Sequence, residues 1–166
     1  MFNAEFRIDQ NNETLTIIEV NTRIASQFIQ MIYHVTGTSS IEYMLMIALG
    51  EDPAQLPESS DTKYQIASSC VLRRQHDAVI TRIPDESRLA QIQDHYPDVQ
   101  IVNFVKEGQK LSDVEQDPWT YRYAWVNIPG KSKEDIDQQL TSITKMLGYD
   151  FSAIPNNVAK WEEVAK

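Results

Sequence analysis

Five glycines, each isolated, and a single cysteine are scarce material for a 166-residue chain. Without a glycine-rich loop, nothing here resembles the segments whose backbone amides close around a phosphate. One cysteine cannot form an internal disulfide, and Cys70 sits in a strand-like run with Val71 and Leu72, so it reads as packing and not as a nucleophile. Positive charge is short as well. Fifteen Lys+Arg against 24 Asp+Glu leave a formal charge of −9. That argues against nucleic acid or an anionic membrane as partner, because both demand basic patches that neutralise phosphates. No apolar run approaches the length of a membrane span, and no basic region followed by an apolar core opens the chain. A cytoplasmic protein is expected. His34, His76 and His95 lack the close helical spacing of a zinc pair, and no ordering of serine, histidine and acid suggests a hydrolase triad.

What the chain does have is apolar residues in ordinary measure, 42%, enough for one substantial core or two small ones. Its organisation changes at residues 51–62, EDPAQLPESSDT, where two prolines and several acidic and hydroxyl residues interrupt any apolar period. Before this connection, helical spacing is predicted over residues 25–33, and a second helix is predicted after Ser39 or Ser40 with Gly50 beyond its end. After it, strands are expected over 64–73, 78–83, 99–105 and 121–128, with a helix over 86–94. Gly130 is expected to break the chain ahead of the most clearly amphipathic helix, over 133–147, whose Ile136, Leu140, Ile143, Met146 and Leu147 share a face. Trp119, Tyr121, Tyr123 and Trp125 alternate, which predicts the packed face of one strand. Arg73 and Arg74, adjacent on a strand, should point to opposite faces.

The informative segment is residues 2–23, FNAEFRIDQNNETLTIIEVNTR. Two strand-like runs flank the polar turn 9–13, and an antiparallel hairpin would bring Glu5 roughly opposite Glu19. Period-two alternation from Glu19 carries an amide, Asn21, and a guanidinium, Arg23, toward the same face. Two carboxylates so close repel unless a cation lies between them. Oxygen-only ligands suit a hard ion, and Mg²⁺ takes one or two protein carboxylates together with water and phosphate oxygens, which fits Glu5, Glu19 and the Asn21 carbonyl. The planar fork of Arg23 suits phosphoryl oxygens. On spacing alone, an exposed edge hairpin with a few charges remains an equal alternative.

The pattern Glu-Phe, a polar turn, then Ile-Ile-Glu-Val-Asn-Thr-Arg-Ile resembles the last metal-binding segment of the ATP-grasp superfamily, which includes biotin carboxylase, carbamoyl phosphate synthetase and the amino-acid ligases. Thr36-Gly37 and the run Ile41 to Gly50 resemble the helix that follows it. The resemblance implies ATP and Mg²⁺, with Mn²⁺ as a substitute, as cofactors. It implies Glu5, Glu19 and Asn21 as ligands of the metal and Arg23 as the residue facing the reacting phosphate. The implied fold is α+β: residues 1–50 as the C-terminal part of an ATP-grasp domain (antiparallel hairpin plus helices), 51–63 as linker, and 64–166 as a small mixed β-sheet domain with helices. This second part is more similar to carboxylate–amine and amino-acid ligases than to biotin carboxylases, whose histidine-led strand and acidic-proline sequence are not found. The implied activity joins a carboxylate substrate to an amine at the expense of ATP. The adenine pocket and the phosphate-covering loop of such an enzyme are not found, so the chain is expected to be inactive alone, with an N-terminal ATP-grasp half as its partner. A non-catalytic interaction or dimerisation module, pairing through an unpaired strand edge as a homodimer, is the alternative.

Overall fold

The computed structural model describes residues 2–56, 62–114 and 119–154, so residues 57–61 of the expected connection and the chain beyond 154 lie outside the described residues. The chain divides into two compact units, residues 1–63 and 64–166.

In the first unit, β1 (Asn3–Asp9) and β2 (Thr14–Asn21) pair antiparallel. Their turn is held by its own polar side chains: Asp9 Oδ1 accepts from the Asn11 amide at 2.9 Å and Asn12 Oδ1 from the Thr14 amide at 3.1 Å. Such short side chains favour turns because they replace ladder hydrogen bonds locally. Glu13 there takes a left-handed φ of 57°. Next come α1 (Ile29–Thr36) and α2 (Ser40–Leu49), which end on Gly37 and Gly50 at φ 70° and 78°. Ser39 caps α2, its side chain accepting from the Ile41 amide at 3.3 Å. The helix expected from residue 25 starts later. Ser26–Phe28 form a 3-10 turn, and no side-chain cap is made at its start or at that of α1.

The second unit holds β3 (Ile66–Arg74), β4 (Ala78–Arg82), α3 (Glu86–His95), β5 (Gln100–Asn103), β6 (Tyr121–Gly130), α4 (Lys133–Leu147) and β7 (Asp150–Ala153). Among the described residues, every strand pairing is antiparallel, with a three-stranded sheet ordered β3-β6-β5 and a pair β4-β7. Alternation along β3 and β6 turns Leu72, Ala124, Val126 and Ile128 toward Ile92 of α3 and Ile136, Ile143 and Leu147 of α4, which together make the larger core. Each fully buried Ile or Leu there contributes about 1.5–3 kcal/mol relative to exposure. A smaller core gathers Ala78, Ile80, Val105, Leu111 and Tyr121.

The ends of α4 explain its sharp limits. Ser132 accepts from the Asp135 amide at 3.2 Å, and Asp135 accepts from the Lys131 amide at 2.9 Å. At the other end, Arg88 donates to the Met146 carbonyl at 3.2 Å and Arg82 to the Gly148 carbonyl at 2.9 Å, so two guanidinium groups meet the negative end of the helix dipole. Gly130 does not break the chain. It closes β6, where an added Cβ would lie 2.7 Å from Ile136 Cγ1.

The aromatic row is not one face. Leu72 pairs with Ala124 but Arg73 with Arg122, which leaves Tyr123 as an extra residue in β6. The bulge turns Tyr123 onto Tyr149 and Phe151, at 5.0 and 5.1 Å between ring centroids, whereas Trp125 meets Phe104 edge-on at 5.0 Å. Arg74 lies 4.5 Å over the Phe151 ring and Arg73 donates to Thr120 Oγ1 at 2.9 Å, on opposite faces as alternation requires.

Candidate metal and phosphate site

The hairpin register puts Glu5 directly opposite Glu19 and Asn3 opposite Asn21. Directly opposed residues share a face with Cβ atoms about 4.5–5.5 Å apart, so both carboxylates occupy one patch. A bulge makes this possible. Glu5 pairs with Glu19 but Phe6 pairs with Ile17, so Ile18 is an extra residue in β2. Without it, Glu19 and Asn21 would share a face with Leu15 and Ile17. With it, one face carries Asn3, Glu5, Arg7, Thr16, Glu19 and Asn21, and the other carries Ala4, Phe6, Ile8, Leu15, Ile17 and Val20. One inserted residue separates a polar face from an apolar one.

Asn21 Nδ2 donates to Glu19 Oε1 at 2.6 Å. Its nitrogen is thereby committed, and the amide oxygen is the end left for a cation. The donor set Glu5, Glu19 and Asn21 Oδ1 is oxygen-only and exposed to half-buried, as Mg²⁺ coordination with retained water and phosphate oxygen requires. Two carboxylates make up its acidic part; among the described residues no group of three or more His, Cys, Asp or Glu is placed to hold a metal ion.

Arg23 is placed differently from the alternation that led to it. The strand ends at Asn21, and Arg23 lies in a bend beyond it with Nη1 3.4 Å from the Ile24 carbonyl. Period two does not carry past a strand's end, so Glu5, Glu19 and Asn21 come together while Arg23 stands next to them on irregular chain. Arg7 sits two residues from Glu5 on the same face, and period two from Glu5 is the sequence signal that points to it. An open concavity around the hairpin turn, lined by Arg7, Asp9, Asn11, Asn12 and Thr16 among others, does not include either carboxylate of the pair. Register and residue chemistry, and not concavity, mark out this candidate site. His34 falls in the last turn of α1, a position that suits an imidazole by the helix dipole.

No protein-family model and no curated protein matches the chain. Solved structures do. An L-amino acid ligase from Bacillus licheniformis superposes with a TM-score of 0.65 at 17% identity, covering 92% of this chain and 36% of that one. Phosphoribosylglycinamide synthetase from Anaerococcus prevotii gives 0.61 at 14% identity, covering 92% and 37%. The phosphoribosylaminoimidazole carboxylase ATPase subunit from Aquifex aeolicus gives 0.51 at 16% identity, covering 88% and 38%. These are ATP-grasp proteins, and the likeness shows a shared fold: this chain has a partial ATP-grasp fold and spans a little over a third of the length of each of the three.

Proposed function

We propose that this chain is the C-terminal portion of an ATP- and Mg²⁺-dependent carboxylate–amine ligase, with residues 1–50 contributing to its metal and phosphate site, 51–63 linking, and 64–166 as its C-terminal domain. The observation that carries the reading is the pairing of Glu5 with Glu19 on a polar face, with the Asn21 amide already oriented beside them. The partial ATP-grasp fold supports it.

The reaction of such a ligase has two steps. An oxygen of the carboxylate substrate attacks the γ-phosphorus of ATP, releasing ADP and forming an acyl phosphate; an amine then adds to the acyl carbon and expels inorganic phosphate. Bound Mg²⁺ would neutralise charge on the transferring phosphoryl group. Glu5 and Glu19 would hold that ion through carboxylate oxygens and Asn21 through its carbonyl. Arg23, in the bend beyond the strand, would turn from the Ile24 carbonyl to the phosphoryl oxygens and stabilise them as charge moves. The adenine pocket and the loops over the phosphates would come from polypeptide outside this chain, so the chain alone should not turn over ATP; a cytoplasmic setting, where ATP is available, fits this reading.

The test is Glu19→Gln in the complete enzyme. It removes one negative ligand while keeping the shape, so Mg²⁺-dependent ADP release should be lost with the fold intact by circular dichroism. Near-normal turnover would sink the metal assignment. A second reading, a non-catalytic interaction module, is favoured by the exposed apolar side chains of the first unit; it predicts no ADP release from any species that contains the chain.

A further inference from the structure

Fourteen of the sixteen large apolar side chains exposed among the described residues belong to residues 2–49, the other two being Leu89 and Trp119. Both hydrophobic cores lie in residues 64–154, and among the described residues of the first unit only Met31, Thr38 and Ser40 are buried. The described residues of the first unit therefore form no core of their own.

Its exposed apolar groups are ordered, not scattered. The β2 bulge collects Phe6, Ile8, Leu15, Ile17 and Val20 on one side of the hairpin, and these are 46–67% exposed. Across the sheet from them lie the carboxylates. Helix α2, SIEYMLMIAL, has Glu42 as its one charged residue and leaves Ile41, Met44, Leu45, Ile47 and Leu49 exposed around its circumference. A helix apolar all round is normally buried on all sides, and an isolated two-stranded hairpin is at best marginally stable in water. Monomeric proteins seldom expose a contiguous apolar patch beyond a few hundred Å².

We infer that residues 1–63 take up this fold only when a complementing polypeptide covers the apolar side of β1–β2 and α2, so that the carboxylate pair is assembled by docking and does not pre-exist in the separate chain. The occupant we commit to is the polypeptide that the structural relatives possess and this chain does not, supplied in cis or in trans: an apolar surface with an unpaired strand edge to extend the hairpin. Its existence in the relatives is indicated by their length, since this chain accounts for only 36–38% of three of them. A second copy of this chain would cover the patch only with the same apolar face, and the mass of the native species separates that occupant from the one chosen. The inference rests on the ligase reading for the identity of the occupant, but its physical content is the folding of the first unit.

Hydrogen exchange on the separate 166-residue chain tests it, because exchange reads folding and not metal or nucleotide chemistry. Amides of β1, β2 and α2 should exchange on the order of 100-fold faster than those of β3 and β6, in a chain that light scattering shows to be monomeric. The species isolated from the cells that make the protein should show β1, β2 and α2 protected, at a mass above 19.1 kDa that is not a multiple of it. Protection of the hairpin in the separate monomer would overturn the inference while leaving the metal reading intact. Protection that appears only with self-association would overturn the choice of occupant. A native species that is the lone chain, unprotected in its first unit, would overturn both the occupant and the ligase reading.

Discussion

Asp77 offers the sharpest test of how the second unit is held together. Its side chain is 7% exposed, between β3 and β4, and a single oxygen, Oδ1, accepts from the Ala78 amide at 2.9 Å and the Ser112 amide at 3.0 Å. The other oxygen faces Lys110 Nζ at 3.2 Å. One carboxylate thus pins the 3-10 turn Leu111–Asp113 to the start of β4. Asp77→Ala strips two charge-assisted bonds, each worth about 1.5–3 kcal/mol, and should cost about 3 kcal/mol at the low end. Asp77→Asn keeps a carbonyl oxygen for both amides but gives up the charge that faces Lys110, whose side chain is 44% exposed, and the Ser112 side chain; about 1 kcal/mol is expected. Urea unfolding of the chain, followed by far-ultraviolet circular dichroism, measures both. The pH dependence follows from the same contacts. Burial pushes the Asp77 carboxyl up, but hydrogen bonds from Ser112, Lys110 and Ala78 outweigh it and hold the group below the ordinary carboxylate range. A lowered folded-state value gives stability that is present above the unfolded value, about 3.9, and lost as pH falls through the folded one. Asp77→Asn should therefore flatten the acid limb of the stability profile below roughly pH 4. If Asp77→Ala and Asp77→Asn unfold within about 0.5 kcal/mol of each other, the two-amide geometry is not what stabilises this loop.

Other outcomes follow from single contacts. Gly148→Ala should destabilise by about 1–2 kcal/mol, since left-handed φ disfavours a Cβ. At φ +60° that Cβ would stand 2.3 Å from Arg88 Nη1 and displace its bond to Met146; an unchanged urea midpoint would count against that role for Arg88. Arg23→Ala in the complete enzyme should lower kcat by far more than it raises the KM for ATP; a raised KM at constant kcat would make Arg23 a binding residue only. Titration of the separate chain with Mg-ATP should give no measurable heat of binding, and a micromolar dissociation constant would contradict the view that most of the nucleotide pocket lies elsewhere.

Elements whose signals are local were legible in the sequence. Helix α4 begins and ends where its apolar period puts it, at Lys133 and Leu147. That Glu5 and Glu19 come near each other follows from turn residues between two strand-like runs, although their direct opposition also needs the extra residue Ile18. What escaped depends on pairing. Ile17-Ile18 breaks strict alternation in a way that reads equally as a buried strand, and only the partner strand shows that Ile18 is a bulge. The same holds for Tyr123, whose bulge divides an aromatic row that looked continuous. Strand β7, four residues immediately after α4, carries no alternation long enough to detect, and it forms because Ala78, Val79 and Ile80 offer it an edge.

The packed cores and the proposed site lie in different units of this chain, and that changes what a variant can report. The packed cores, the Asp77 loop and the capped helix α4 all belong to residues 64–154. The carboxylate pair belongs to a unit whose apolar side chains face outward. Substitutions at Ile80, Val126 or Ile143, each fully buried, should unfold the second unit through lost burial and cavity formation, whatever becomes of the site. Glu19→Gln, on an exposed strand with no core beneath it, should leave the unfolding transition of the separate chain unmoved. A melting curve taken on this chain should therefore measure the second unit, and the proposed metal role of Glu5, Glu19 and Asn21 should be tested in a species where their hairpin is covered.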